Sequence, residues 1–204
     1  VYFAYGYYRI NAVSRGGKIA EYKAPRKALV IIDLQRDITE KDGRMVMNLQ
    51  QTDRIIGNIN RILSKHGKGD LPVVYITKEF EKNSIVQLLT NNALLPGSPG
   101  AGIDPRIRIV GGNRFVKHVS DAFSNRGLDG FLVKNSVNHL YVAGVDAEYC
   151  VDRTVRAALN RNYKVTVISD AVGSGSDGKR DAKISEFERL GMEIITTEQM
   201  LTRM

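Results

Sequence analysis

The sequence predicts an α/β fold built on a mostly parallel sheet with helices on both faces, and three observations carry that prediction. Short aliphatic runs recur along the chain, stretches with helical periodicity separate several of them, and polar or glycine residues close each run. A run that is apolar at every position suits a strand covered on both sides, and strands alternating with helices imply right-handed parallel crossovers.

The elements follow in chain order. Residues 28–33 (ALVIID) read as the first strand and 72–77 (PVVYIT) as the second. Between them, Leu49, Ile55, Ile56, Ile59, Ile62 and Leu63 recur at three- and four-residue intervals, which predicts a helix over 48–63. Residues 93–107 are rich in proline and glycine and read as a long loop, a candidate pocket wall or subunit contact. RFVKH (114–118), HLYVAG (139–144), KVTVIS (164–169) and MEIIT (192–196) supply four further strands. Val151, Val155 and Ala158 mark a helix after Cys150; Ile184, Phe187 and Leu190 mark another that stops at Gly191.

With 204 residues, 43% of them hydrophobic, the chain can build one sizeable core. It divides into a basic, aromatic arm over residues 1–27 and a body over 28–204. The formal charge is +8, but the arm holds six Lys or Arg residues against the single acid Glu21, so the body is close to balanced. No helix of the body pairs a basic stripe with aromatics, which argues against nucleic acid as a partner. Tyr2, Phe3, Tyr5, Tyr7, Tyr8 and Arg9 suit an arm packed across a partner subunit; contact with a membrane surface is the weaker reading. No signal peptide or long apolar stretch is visible, so a cytoplasmic location is expected. One cysteine excludes an intrachain disulfide and a cysteine-rich metal site. GSPGAG (97–102) and GSGSDG (173–178) lack phosphate-loop spacing, so no nucleotide cofactor is expected.

Three residues can carry chemistry. Cys150 follows a strand and a turn and opens a helix, where unpaired N–H groups and the helix field would favour a thiolate; the bland alternative is an inert core cysteine. Asp33 ends the first strand, as a catalytic acid or as a turn cap. Lys117 stands between Phe115 and Val116 and His118, and needs a carboxylate or a substrate unless it snorkels to water. Together they offer a nucleophile, a proton acceptor and a cation from three strand ends. His66, His118 and His139 are rival bases; His139 begins a strand, at the wrong edge, His66 follows the first long helix, and His118 is the credible competitor, adjacent to Lys117 but on the opposite side if the strand persists.

ALVIIDLQRD (28–37), FVKHVSDAF (115–123), VAGVDAEYCVDRTVRAA (142–158) and SDAVGS (169–174), in this order, resemble the motifs of the isochorismatase-like cysteine hydrolases, over about residues 28–200. The resemblance implies a three-layer α/β sandwich with a six-stranded sheet of order 3-2-1-4-5-6, assembled as a homo-dimer or homo-tetramer. It also implies Asp33 as general base, Lys117 as the orienting cation, Cys150 as nucleophile, and a cis peptide at Val145–Asp146. The N–H groups of Asp146 and Cys150 would then form the oxyanion hole, and Phe80 and Tyr149 could line the substrate pocket. In metal-dependent members an Asp-x-His arrangement follows the second strand; here Glu79 and Glu81 stand in TKEFEKN (77–83), so neither a metal nor another cofactor is expected. The expected activity is hydrolysis of a small amide, ureido or related C–N bond. A nitrile or lyase-like reaction of the same thiol and a binding protein with an idle site are the alternatives.

Overall fold

The computed structural model describes residues 10–67, 71–81 and 84–204. Its sheet has six strands: β1 (Arg26–Ile32), β2 (Val73–Lys78), β3 (Asn113–Lys117), β4 (Val137–Gly144), β5 (Lys164–Val172) and β6 (Glu193–Ile195). Their order is β3-β2-β1-β4-β5-β6 and every pairing in the sheet is parallel. The expected architecture is therefore the observed one.

Alternation along β1 explains the unbroken apolar run. Ala28, Val30 and Ile32 join one core layer with Val142, Val155 and Phe187, while Leu29 and Ile31 join the opposite layer with Ile55, Ile59 and Ile62. From residue 28 to 32 both faces are buried, so no position of that run is free to be polar. The helix α2 (Leu49–Lys65) covers one face; Asn48 caps it by accepting from Gln51 N–H, and Ile55, Ile59 and Ile62 form its buried stripe. On the other face lie α4 (Arg126–Lys134), α5 (Asp152–Asn160) and α6 (Asp177–Arg189). Shorter helices occur at α1 (Arg36–Thr39), α3 (Ser84–Leu89) and α7 (Thr197–Thr202).

Several boundaries differ from the sequence expectation. β1 begins at Arg26, inside the expected arm, because Arg26 N–H donates to Ser136. β5 runs on to Val172, which pairs with Gly144 across an irregularity in the register. The helix α4 was not foreseen: only Leu128 and Leu132 of its residues are buried, and two glycines break its pattern. The tyrosines of residues 2–8 lie outside the described residues. The described part of the arm packs on its own chain, with Ile19 N–H donating to Arg161 and Val13 and Ile19 resting on the core. Among the described residues no helix is long and apolar enough to cross a membrane.

Candidate active site

Parallel strands present their carboxyl ends on one edge, and the three sequence-predicted groups meet there. Asp33 leaves β1 with φ 54°, a left-handed conformation that aspartate tolerates better than most residues. It is held by its own N–H donating to Ile76 and by Gln35 N–H donating back to its carbonyl. Lys117 ends β3, which pairs with β2 rather than β1, so its long stem must reach past the intervening strand. The ammonium donates to Asp33 Oδ2 at 2.8 Å and to the Ser120 carbonyl at 3.0 Å, with both side chains almost wholly buried. The sequence alternative of a snorkelling lysine is thereby removed.

Among the described residues Asp33 Oδ1 is buried with no hydrogen-bond partner. It is the free acceptor of a carboxylate whose other oxygen is fixed. Burial opposes a charged Lys117, but the Asp33 carboxylate and the Cys150 sulfur outweigh it and raise the lysine's pKa.

Cys150 stands in a π-helical turn, Ala147–Val151, that leads into α5. Asp146 caps this turn: its Oδ1 accepts from Glu148 N–H at 2.9 Å and from the Ser174 hydroxyl at 2.7 Å. That duty accounts for an acid at this position, and burial, partly offset by these bonds, raises its pKa. The Val145–Asp146 peptide is cis, as the motif implies. Among the described residues the Asp146 N–H donates to no protein acceptor. Gly144, at φ 117°, permits the approach of this turn to β1, since a Cβ there would lie 2.1 Å from the Ile32 carbonyl oxygen.

At Cys150 the helix N-terminus, expected from the sequence to favour a thiolate, is opposed by burial. Burial and then the Asp33 charge push the Cys150 thiol up, and Lys117 and Lys78 pull it down without reversing the direction. The helix N-terminus does not prevail because the sulfur is buried beside a carboxylate.

The thiol opens on a cavity of about 410 Å³, lined by Asp33, Ile38, Met45, Met47, Phe80, Tyr149 and others. Phe80 and Tyr149, named from the sequence as possible pocket residues, both line this cavity. The loop 93–107 contributes only Leu94 to the lining; the wall expected from it is built instead by Ile38 and residues 45–47. The apolar triplet Met45–Met47 after the turn at Asp42–Gly43 was the available signal, too short to read as an element. Lys78, Asn11 and Ser120 were also missed. Gln35 is a further one: its side chain donates to Lys78 and Ala101 carbonyls and accepts from Lys78 N–H.

The remaining candidates lie apart. His118 is exposed and bonded to the Glu79 carbonyl, His66 ends α2, and His139 is buried against Thr166 near the start of β4. Neither Glu79 nor Glu81 lines the cavity. Among the described residues no cluster of His, Cys, Asp or Glu side chains is arranged to hold a metal ion.

Known proteins resemble this chain in sequence and in fold. The Isochorismatase domain family matches residues 27–199. The N-carbamoylsarcosine amidase of an Arthrobacter species is 27% identical over 86% of this chain and 70% of its own. A probable inactive nicotinamidase of Arabidopsis thaliana is 25% identical over 84% of this chain and 93% of its own. An isochorismatase-like hydrolase from Alkaliphilus metalliredigens shares the fold, with a TM-score of 0.80 at 20% identity over 87% of this chain and 98% of that one. With the family matching most of its length, and with the fold to go with it, the chain belongs to the isochorismatase family of hydrolases.

Proposed function

We propose that this protein hydrolyses a small carboxamide or ureido C–N bond through a thioester on Cys150. The reading rests on one observation: a buried thiol beside a carboxylate whose Oδ1 is buried and, among the described residues, unpartnered, while Lys117 holds Oδ2.

Asp33 Oδ1 takes the thiol proton as the sulfur attacks the carbonyl carbon. The lysine keeps the carboxylate oriented and offsets the negative charge passing to the sulfur. The carbonyl oxygen gains charge and is met by the N–H groups of Asp146 and Cys150. Collapse breaks the C–N bond, and Asp33 returns the proton to the leaving nitrogen, releasing ammonia or an amine. Water then attacks the thioester, giving its proton to Asp33; the acid leaves and the thiol recovers a proton. The balance is one amide and one water to one acid and one amine, so no external co-reactant is consumed.

Replacing the sulfur is the direct test. Cys150→Ala should reduce ammonia release from an amide that the wild type cleaves by at least about a thousandfold, with an unchanged melting temperature. Rapid quench and intact-mass measurement on wild type should show an acyl adduct on the peptide containing Cys150. Retained turnover in Cys150→Ala overturns the proposal.

A further inference from the structure

Lys78 ends β2 with its backbone held on both sides by one buried side chain. Gln35 Oε1 accepts from Lys78 N–H at 2.7 Å, and Gln35 Nε2 donates to the Lys78 carbonyl at 2.8 Å. A third bond, to the Ala101 carbonyl at 2.9 Å, leaves the amide no freedom to turn. The backbone from which the lysine side chain departs is therefore fixed.

Its ammonium lies over the Phe80 ring, 4.9 Å from the centroid, and both side chains line the cavity that holds the thiol. Among the described residues no carboxylate comes within ion-pair distance of it. A cation over a ring gains only about 0.5–1 kcal/mol, far less than a desolvated ammonium gains from a carboxylate. The other charges around the cavity are committed: Lys117 to Asp33, and the Asp146 carboxylate to the turn it caps. Most of the remaining lining is apolar, from Ile38, Met45, Val46, Met47 and Leu94. What the cavity lacks is one negative charge at one place.

Building on the hydrolase reading above, we infer that Lys78 is a specificity residue that receives a carboxylate of the substrate. The substrates are then small amides or ureido compounds that carry one carboxylate, joined to the scissile carbonyl by a short apolar segment. A carboxylate fits better than a phosphate, because a single ammonium over a ring offers one charge, whereas phosphate sites gather several donors. The cavity, about 410 Å³, has ample room for a substrate of this kind. The thiol also feels Lys78 as a charge that lowers its pKa, which places the cation near the reacting centre.

Three monoamides of dicarboxylic acids test this: succinamate, glutaramate and adipamate, each against its neutral diamide, which differs by an amide in place of the carboxylate. Calorimetry on the full-length Cys150→Ala protein reads binding without turnover, and ammonia release reads turnover in wild type. At least one monoamide should bind, and be cleaved with a kcat/KM, at least tenfold better than its diamide. Lys78→Gln should reduce that ratio at least tenfold, chiefly through KM, and Lys78→Arg should retain most of it. Ratios within twofold of one for all three pairs, no monoamide binding at all, or a Lys78→Gln ratio equal to wild type would each overturn the inference. Ammonia release without charge preference would sink the Lys78 role and leave the hydrolase reading standing. Selective binding without ammonia release from any compound would do the reverse.

Discussion

The charges of Asp33 and Lys117 act on the Cys150 thiol in opposite directions, and each effect has a measurable sign. Iodoacetamide alkylation of Cys150 should rise with pH through a midpoint above that of an ordinary thiol, because burial and Asp33 disfavour the thiolate. Asp33→Asn removes the neighbouring anion and should move the midpoint down, whereas Lys117→Met removes the cation and should move it up. Midpoints unchanged in both variants would break the electrostatic link. Lys117→Met also strands a buried carboxylate and should cost about 3–5 kcal/mol in denaturant melts; the double variant with Asp33→Asn should recover much of that stability without recovering turnover. His139 obeys a different rule. Burial, with Lys164 and Lys27 nearby, lowers its pKa to about 4. The unfolded chain therefore takes a proton near pH 6.5 that the folded chain refuses, so stability falls as pH drops from about 6.5 towards 4. His139→Gln should flatten that part of the melting-temperature profile. At this scale legibility followed incongruity: a lysine between apolar neighbours and an acid closing an aliphatic run stand out in the sequence. Lys78 did not, since TKEFEK has the composition of any solvated surface, and only the fold reveals that its backbone is clamped.

Elements were legible where the pattern was long or buried on both faces. β1, β2, β4 and α2 carry enough apolar residues to declare their period, while α4 hides behind two glycines and the cavity wall of residues 38–47 has no period at all. One side chain makes several of the bonds that hold that wall. The Asp37 carboxylate accepts from Arg44 and Leu94 N–H groups at 3.3 and 2.7 Å, and its backbone carbonyl accepts from Met45 N–H. Gly100 approaches the same carboxylate so closely that a Cβ would lie 2.2 Å from it. Asp37→Ala should raise KM several-fold and speed amide exchange over residues 43–47, with kcat less affected; unchanged exchange would show that the wall stands without it. The turn bearing Cys150 has its own support. Asp152, buried at the start of α5, pairs with Arg153, Arg156 and Lys183 and ties α5 to α6. Gly144→Ala, which forces a Cβ into the Ile32 backbone, should lose soluble folded protein rather than activity alone.

The molecule as a whole closes its site with a segment that the sequence presented as separate. Composition set residues 1–27 apart by charge and aromatic content, and that contrast says nothing about where an arm lies. Its described part contributes Ile10 and Asn11 to the cavity lining and converges on Ser120. Ser120 N–H donates to the Ile10 carbonyl and its hydroxyl to Asn11 Oδ1, while its own carbonyl accepts from Lys117. Arg153 adds a bond to the Asn11 carbonyl. Asn11→Ala should therefore lower kcat as well as raise KM, because it loosens the residue that steadies Lys117; an effect on KM alone would limit Asn11 to a lining role. The same convergence makes the arm a reporter of occupancy. Arg15 and Lys18 are exposed just beyond the segment that Ser120 holds, and a ligand in the cavity that packs on Ile10 and Asn11 must, by reciprocity, hold that segment more tightly. Trypsin nicking at Arg15 and Lys18 would then slow as the site fills, so a protease and a gel could screen for the substrate without a chemical assay.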